Sequence, residues 1–158
     1  MSVVIRSMLE GEENAVVDMV QALTTIVEPG YRIKMTPENL RADSDIALVM
    51  IAENNGHLVG AGIYNMTYSS WRGTRGIYVC DLFVLPETRN QNIGLKLLHA
   101  IARDGKARGG GFIKLEVQDD NTGAAKFYDR IGFRHKENDG TYILEPSRFT
   151  NFTTGEIA

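Results

Sequence analysis

Two short polar turns between apolar strands constrain the fold of this chain more than any other feature. The turn Asn54-Asn55-Gly56 joins an apolar strand predicted over Ile46–Ala52 to another over Leu58–Tyr68. A second turn, Trp71–Gly76, leads into a third apolar strand predicted over Ile77–Leu85. Strands joined by turns this short pair in opposite directions, whereas parallel strands need a long crossover. The middle of the chain therefore predicts an antiparallel meander and argues against a doubly wound parallel sheet.

Helical and strand patterns on both sides of the meander complete the prediction. Upstream, the pattern indicates a strand over Ser2–Arg6, a helix over Glu12–Val27 and a short helix that begins at Thr36-Pro37. Downstream, it indicates a helix over Asn92–Lys106, a strand over Phe112–Val117, a helix over Asn121–Arg130 and a last strand over Tyr142–Leu144, with one more strand around Phe133–Lys136. The order βααβββαβαβ(β) predicts an α/β (α+β) fold, a mixed and mostly antiparallel sheet flanked by helices. The length of 158 residues predicts a single domain over residues 1–158.

Composition narrows the classes of protein that fit. The net charge of −3 and the lack of a basic stripe argue against a nucleic-acid partner. No segment reaches the roughly 20 apolar residues of a membrane span, and the N-terminus does not resemble a signal peptide. One cysteine fits a reducing compartment, and the three histidines lack the spacing of metal ligands. We expect a cytoplasmic protein that binds no metal, membrane or nucleic acid.

The segment from Val84 to Leu98 predicts a site for an anion. The third strand of the meander runs through Pro86 into a polar turn that carries Arg89, and a helix begins directly afterwards. The first turn of a helix offers unpaired N–H groups and the positive end of the helix dipole, and an arginine can bind two phosphate oxygens at once. Neither the Gly-x-Gly-x-x-Gly pattern of dinucleotide folds nor a P-loop is present. A phosphorylated ligand is one interpretation, and an ordinary strand-to-helix loop with a solvated arginine is the other.

A second segment, Leu115–Phe133, decides between these interpretations. Alone, Asn121 would be a helix cap and Tyr128 a half-buried core aromatic. At this spacing from the Arg89 turn, however, the pair resembles the GNAT superfamily of N-acetyltransferases. These proteins carry an Arg/Gln-x-x-Gly-x-Gly/Ala turn and a later Asn…Phe-Tyr…Gly-Phe segment. The resemblance spans Ile77–Phe133, and the upstream order of elements also agrees with it.

The resemblance implies acetyl-CoA as cosubstrate and a role for particular residues. Asp81 is then the nearest candidate for the base that accepts the amine proton, and Tyr128 is the acid that protonates the departing thiolate. The implied cosubstrate contacts are Leu82, Phe83, Val84, Arg89, Asn90, Gln91, Asn92, Ile93, Gly94, Leu95, Asn121 and Phe127. A backbone N–H near Phe83 is implied as the donor to the developing oxyanion. Asn92 stands where the pattern has its first glycine, and we expect it to adopt the left-handed conformation that asparagine tolerates.

A finer resemblance, carried by Tyr68–Gly73 and Ile77–Val84, is to the diamine and thialysine acetyltransferase branch, which acetylates small primary amines. It implies substrate contacts from Glu28, Tyr31, Trp71 and Cys80, with Asp43 and Asp45 as alternatives for substrate recognition. The branch usually has a glutamate before the aspartate, and this chain has Cys80 there. From its apolar neighbours we expect Cys80 to be a small buried side chain.

The expected function is the transfer of an acetyl group from acetyl-CoA to a primary amine of a small molecule, by direct attack in a ternary complex. Two alternatives stay open from the sequence. The acceptor could be a protein N-terminus or a lysine side chain, or the chain could be a non-catalytic module that binds CoA. Because members of the superfamily often pair, a homodimer is also expected.

Overall fold

The computed structural model describes residues 2–89, 91–137 and 140–155. The elements are, in chain order, β1 (Val3–Ser7), α1 (Glu13–Val27), α2 (Pro37–Ala42), β2 (Leu48–Asn54), β3 (His57–Ser69), β4 (Thr74–Val84), a short 3₁₀ turn (Pro86–Thr88), α3 (Ile93–Ala107), β5 (Gly110–Leu115), α4 (Thr122–Arg130) and α5 (Pro146–Thr153). The chain divides into two compact units, one up to Asp120 and one from Asn121. No helix in the described part of the chain is long and apolar enough to cross a membrane.

The first unit is built on one five-stranded sheet in the order β1-β2-β3-β4-β5. The pairs β1–β2, β2–β3 and β3–β4 are antiparallel, and β4–β5 is parallel. Asn55 and Gly56 have φ of +52° and +80°, which is the backbone that a tight β2–β3 turn needs. The α3 crossover makes the last pair parallel. The predicted fold class, a mixed and mostly antiparallel sheet flanked by helices, is confirmed.

Helices cover both faces of this sheet. α1 and α2 pack on one face, where their core residues Val16, Met19, Val20 and Leu40 meet Val49, Ile51, Ala61, Ile63 and Phe83 of the strands. α3 packs on the other face and comes close to β3, because Gly60 and Gly62 have no side chain there. A Cβ on Gly62 would lie 2.7 Å from the Ile101 Cδ1 atom. On this face the Tyr64 hydroxyl donates a 2.6 Å hydrogen bond to Asp104, which ties β3 to the C-terminal half of α3.

The second unit contains α4 and α5, and its last stretch differs from the prediction. The strand predicted over Tyr142–Leu144 is not formed, nor is the strand around Phe133–Lys136, and α5 follows instead. Tyr142, Ile143 and Leu144 are 99%, 72% and 44% exposed. A strand is stable only when a neighbour pairs with its backbone, so an apolar run without a partner strand does not become one. The prediction of these strands was therefore wrong.

Candidate active site

The site of the first unit begins with an irregularity in β4. Ile63 pairs with Asp81 and the next residue, Tyr64, pairs with Val79, so Cys80 is one extra residue in β4. Such a β-bulge reverses the alternation of side chains along the strand that carries it. Ile77 accordingly packs against Gly105 of α3, whereas Asp81 lies on the opposite face, beside α1. In an unbroken strand, residues four positions apart would share a face.

Beyond the bulge, β4 also loses one of its two neighbours. The parallel pairing with β5 runs from Arg75 to Val79 and stops there, while the antiparallel pairing with β3 continues to Val84. Among the residues that the structure describes, the backbone of residues 80–84 therefore has a strand partner on one edge only. The predicted cosubstrate contacts Leu82, Phe83 and Val84 all lie on this open stretch, as does Asp81. Unpaired strand edges present a row of N–H and C=O groups that an extended ligand can bind.

Asp81 points into a cavity of about 210 Å³ between α1 and the sheet. Its lining residues are Val20, Leu23, Thr24, Val27, Glu28, Tyr31, Ile33 and Asp81. The walls are mostly apolar, with the partly buried Asp81 on the strand side and the exposed Glu28 and Tyr31 on the side of the loop after α1. Burial raises the pKa of the Asp81 carboxyl above its ordinary value. A carboxylate of this kind accepts a proton more readily than one in water.

The cavity brings together three residues predicted from the sequence: Asp81, Glu28 and Tyr31. Trp71 is not among its described lining residues, since it lies in the β3–β4 turn with 98% of its surface exposed. The alternatives Asp43 and Asp45 are exposed residues of the stretch after α2 and do not line it either.

Cys80 occupies the bulge itself, and the expectation that it is buried was wrong. The residue is exposed, and its Sγ atom accepts a 3.4 Å contact from the Asn65 side-chain amide. The thiol is nevertheless partly shielded, which together with the nearby Asp81 raises the pKa of the thiol. A residue in a bulge is left out of the strand alternation, so apolar neighbours in sequence do not bury it.

The turn before α3 has the conformation that the sequence predicted for Asn92. Asn92 has φ of 56° and ψ of 27°, in the left-handed region, and it immediately precedes Ile93, the first residue of α3. Its side chain does not cap the helix, and the first turn of α3 carries no acidic residue. α2 shows the usual alternative, because Thr36 and Asn39 form a reciprocal capping box there. Within the described residues, α3 thus begins without a side-chain cap from Asn92, and such a helix start can bind an anion.

The remaining predicted cosubstrate residues of the first unit surround this helix start. Arg89 is exposed and Gln91, Gly94 and Leu95 are partly exposed, while Ile93 is buried as the first core residue of α3. Asn90 lies outside the described residues. No group of three or more histidine, cysteine, aspartate or glutamate side chains within the described ranges is arranged to hold a metal ion.

The second unit carries the other predicted residues, Asn121, Phe127 and Tyr128. The Asn121 side-chain oxygen accepts a 3.2 Å hydrogen bond from the Ala124 amide and so caps α4, as its position in the sequence indicates. The Tyr128 ring contacts the Phe127 and Phe133 rings, with centroids 5.1 Å and 5.3 Å away. Burial raises the pKa of the Tyr128 hydroxyl to about 12. Tyr128 is therefore protonated at neutral pH and can serve as a proton donor.

Sequence reasoning missed the part that α1 plays in the cavity. The apolar spacing of α1 assigned Val20, Leu23 and Val27 to the core in the same way as Val16 and Met19. In the structure, Val16 and Met19 are buried in the core, whereas Leu23 and Val27 are only partly covered and line the cavity. Periodicity identifies the apolar face of a helix but does not say which turns of that face meet another element.

Comparison with known proteins identifies the family. Residues 16–133 match the family model described as the acetyltransferase (GNAT) family. This chain belongs to the GNAT family of acetyltransferases. It is also 32% identical over 145 residues to thialysine N-epsilon-acetyltransferase from Sus scrofa, a match that covers 84% of this chain and 85% of the pig protein. These matches identify an enzyme that transfers acetyl groups.

Solved structures of other proteins share the GNAT fold of this chain. An integron cassette protein from the mobile metagenome of Vibrio cholerae superposes with a TM-score of 0.77 at 20% identity, over 97% of this chain and 98% of that one. An aminoglycoside N-acetyltransferase in complex with CoA superposes with a TM-score of 0.68 at 20% identity, over 90% of this chain and 95% of that one. At such identities the likeness establishes the fold.

Proposed function

We propose that this GNAT enzyme transfers the acetyl group of acetyl-CoA to the primary amine of a small molecule, by direct attack while both substrates are bound. The observation that carries the proposal is the position of Asp81. Its partly buried carboxylate faces an apolar cavity. It lies on residues 80–84 of β4, where the edge of the strand that β5 occupies earlier in β4 is open. An amine in the cavity and an extended ligand on the open edge would meet at this stretch.

The described residues fit acetyl-CoA. Arg89 and the uncapped first turn of α3 offer positive charge and free amides to a pyrophosphate, and Gly94 has no side chain to obstruct it. The open edge over residues 80–84 offers strand-like hydrogen bonds to the amide groups of a pantetheine arm. When bound, acetyl-CoA supplies a thioester whose carbonyl carbon can be attacked by an amine. A backbone N–H near Phe83 is the proposed donor to the carbonyl oxygen, and Asn121 and Phe127 are proposed as further contacts.

On the acceptor side, Asp81 has a defined task. A primary amine with a pKa near ~10 is only about 0.1% neutral at pH 7, and its deprotonation costs roughly 4 kcal/mol. We assign the removal of that proton to Asp81, directly or through one water molecule. Its raised pKa makes its carboxylate a better base than an ordinary aspartate. Tyr128, which holds its proton at neutral pH, donates to the departing thiolate.

The dimensions of the cavity favour a small acceptor. Its volume of about 210 Å³ is below the roughly 300–1,000 Å³ that is common for sites of drug-sized ligands. The pig relative is named for an acetylation of thialysine, which is a small amine. Glu28 and Tyr31 at the loop side are the proposed contacts to the rest of the amine, together with Cys80 on the exposed side of the bulge and Trp71.

The test is the release of CoA thiol from acetyl-CoA in the presence of polyamines, lysine analogues, amino sugars or short peptides. We expect turnover with a small amine and a loss of about 10²- to 10⁴-fold in kcat in Tyr128→Phe. Tyr142→Phe is the matched control, because Tyr142 belongs to the same unit and is 99% exposed. Turnover with peptides alone would assign a protein acceptor. Acetyl-CoA binding without turnover would indicate a non-catalytic module, and both results would contradict the proposal.

The homodimer and the cytoplasmic location expected from the sequence stay predictions. Size-exclusion chromatography with light scattering tests the first, and localisation of a tagged protein tests the second.

A further inference from the structure

The Gln21 side chain makes several hydrogen bonds to residues that line the cavity. Gln21 lies on α1, opposite the loop that leads from α1 to α2. Its Nε2 atom donates to the Tyr31 carbonyl oxygen at 2.8 Å, and its Oε1 atom accepts from the Ile33 backbone N–H at 3.0 Å. Both ends of one amide group therefore hold the same short segment of the loop.

Thr24, one turn further along α1, completes this arrangement. Gln21 Nε2 also donates to the Thr24 hydroxyl oxygen at 2.9 Å. That hydroxyl has two backbone acceptors, the Gln21 carbonyl at 2.6 Å and the Tyr31 carbonyl at 3.3 Å. The three residues that Gln21 contacts, Thr24, Tyr31 and Ile33, all line the cavity, whereas Gln21 itself does not. We call Gln21 with these hydrogen bonds the Gln21 clamp.

The segment that the clamp holds has no regular secondary structure to fix its position. Residues 31–36 form neither helix nor strand, and Gly30 before them has φ of +90°. Tyr31 also donates its backbone N–H to the Glu28 carbonyl at 3.1 Å, a bond internal to the loop that does not attach it to α1. Ile33 and Met35 of the segment pack partly buried against the core, and the Thr24 hydroxyl also donates to the Tyr31 carbonyl at 3.3 Å. Gln21 adds two hydrogen bonds between the segment and α1, at 2.8 Å and 3.0 Å, so the position of the backbone at Tyr31 and Ile33 depends on Gln21.

We propose that Gln21 is a positioning residue that sets which amines the cavity accepts. The inference rests on the proposed function, in which the cavity receives the acceptor amine. By holding Tyr31 and Ile33 against α1, the clamp keeps the space between the loop and Asp81 narrow and preformed. A preformed cavity binds the amine without the free-energy cost of ordering the loop, and a narrow cavity selects amines with a short apolar chain. Gln21 touches neither reacting group, so its effect is on the binding of the amine.

The experiment compares wild type, Gln21→Leu, Gln21→Glu and Thr25→Val on straight-chain primary amines of increasing length. Gln21→Leu removes the three hydrogen bonds of the Gln21 side-chain amide and leaves those that the Thr24 hydroxyl donates. Gln21→Glu keeps an oxygen for the Ile33 N–H but cannot donate to the Tyr31 carbonyl. Thr25→Val is the matched control, since the Thr25 hydroxyl donates to the Ala22 carbonyl of its own helix at 2.7 Å and has no bond to the loop among the described residues. KM for the amine, KM for acetyl-CoA and kcat are measured for each variant.

We expect Gln21→Leu to raise KM for the short amines about tenfold, as the loss of its two modest hydrogen bonds to the loop, at Tyr31 and Ile33, implies. Its preferred amine becomes longer, while kcat and KM for acetyl-CoA stay within about twofold. Gln21→Glu falls between wild type and Gln21→Leu, and Thr25→Val matches wild type. Hydrogen exchange at the Ile33 amide becomes faster in Gln21→Leu, because that N–H has lost its acceptor.

Two other outcomes would overturn the inference, and they are distinguishable. If Gln21→Leu lowers thermal stability or kcat but leaves the order of preferred amines unchanged, Gln21 is a structural residue only and the proposed function stands. If wild type acetylates no amine of the series, the proposed function fails, and the role of Gln21 in selecting amines fails with it.

Discussion

The two halves of β4, on either side of the bulge at Cys80, differ in the number of neighbouring strands and in what their side chains face. Before the bulge, residues 74–79 pair with β3 on one edge and with β5 on the other, and Ile77 and Val79 are 2% and 4% exposed. After it, β3 is the one neighbouring strand of residues 80–84 in the described part of the chain, and Asp81 faces a cavity. One strand thus provides both a part of the sheet with neighbours on two edges and the proposed site of chemistry.

This difference separates stability from activity along a single element. The first half gains stability from backbone pairing on two edges and from side chains packed on α3. The second half lacks the hydrogen bonds to β5 on one edge. It also shields the Asp81 carboxyl from water, which disfavours the charged form of that carboxyl. Proteins commonly accept such local costs at their active sites. Substitutions in the first half should therefore change stability, and substitutions in the second half should change catalysis.

The largest effect is expected in the second half, at Asp81. Asp81→Asn removes the proposed base but keeps the size of the side chain, so kcat/KM for the amine should fall about 10²- to 10⁴-fold with no loss of thermal stability. The measurement is the steady-state rate of thiol release together with a thermal melt. Asp45→Asn is the control, because Asp45 is exposed and does not line the cavity. An equal loss of activity in both variants would remove the distinction between the halves.

The first half should give the reverse result. Ile77→Ala deletes buried methyl groups that pack on Gly105 of α3, which should lower the free energy of unfolding by about 2–5 kcal/mol. The fraction that stays folded should keep the kcat of wild type. Urea denaturation measures the first quantity and assays well below the melting temperature measure the second. A tenfold fall in kcat with unchanged stability would show that the first half takes part in catalysis.

A smaller effect on stability and on KM is expected for substitutions of the two asparagines that have a left-handed backbone. Asn55 has φ of 52° in the β2–β3 turn, and Asn92 has φ of 56° at the start of α3. Replacement of either by alanine should cost about 1 kcal/mol of stability, since alanine tolerates this region poorly. Only Asn92→Ala should also raise KM for acetyl-CoA, by about fivefold, because the start of α3 is then less well preformed. Equal KM values in the two variants would argue against the proposed cosubstrate site.

The smallest effect is a pH dependence of stability that belongs to Asp81. The folded protein holds the Asp81 proton more tightly than the unfolded chain does, because burial raises the pKa. Ionisation therefore costs folding free energy as the pH rises from the ordinary aspartate value through the raised one. Asp81→Asn should be more stable than wild type at pH 7, and this advantage should disappear at low pH. Melting temperatures of both proteins from pH 3 to pH 8 test this, and a constant difference would contradict it.

Much of the fold was predictable because its signals are local. The turn at Asn55-Gly56, the capping residue Thr36 and the left-handed Asn92 each follow from the chemistry of one or two residues. The bulge was not predictable, since Ile77–Val84 contains no glycine and shows no alternation that an extra residue would interrupt. The exposed Tyr142–Leu144 segment shows the opposite error, because strand-forming residues need a partner that the sequence does not specify.

The cavity could not be predicted from the sequence either. Whether Leu23 and Val27 pack against the sheet or line a space depends on how far the next loop stands from α1. That distance is fixed by side-chain hydrogen bonds from Gln21, a polar residue that the apolar pattern of the helix passes over. Asp81 was selected by family resemblance, and its burial and its place at the cavity became visible only in the structure.

The bulge at Cys80 has a consequence for how enzymes of this kind can change. Because side chains alternate along a strand, a regular ladder in which Cys80 paired with Ile63 would put Asp81 opposite Gly62, toward Ile101, and would bring Leu82 to the face of α1. A register shift of one residue would thus exchange core and ligand-facing positions along the rest of the strand. Loss of residue 80 would instead remove the bulge and leave Asp81 opposite Ile63, so what must be preserved is this pairing, while position 80 is open to variation.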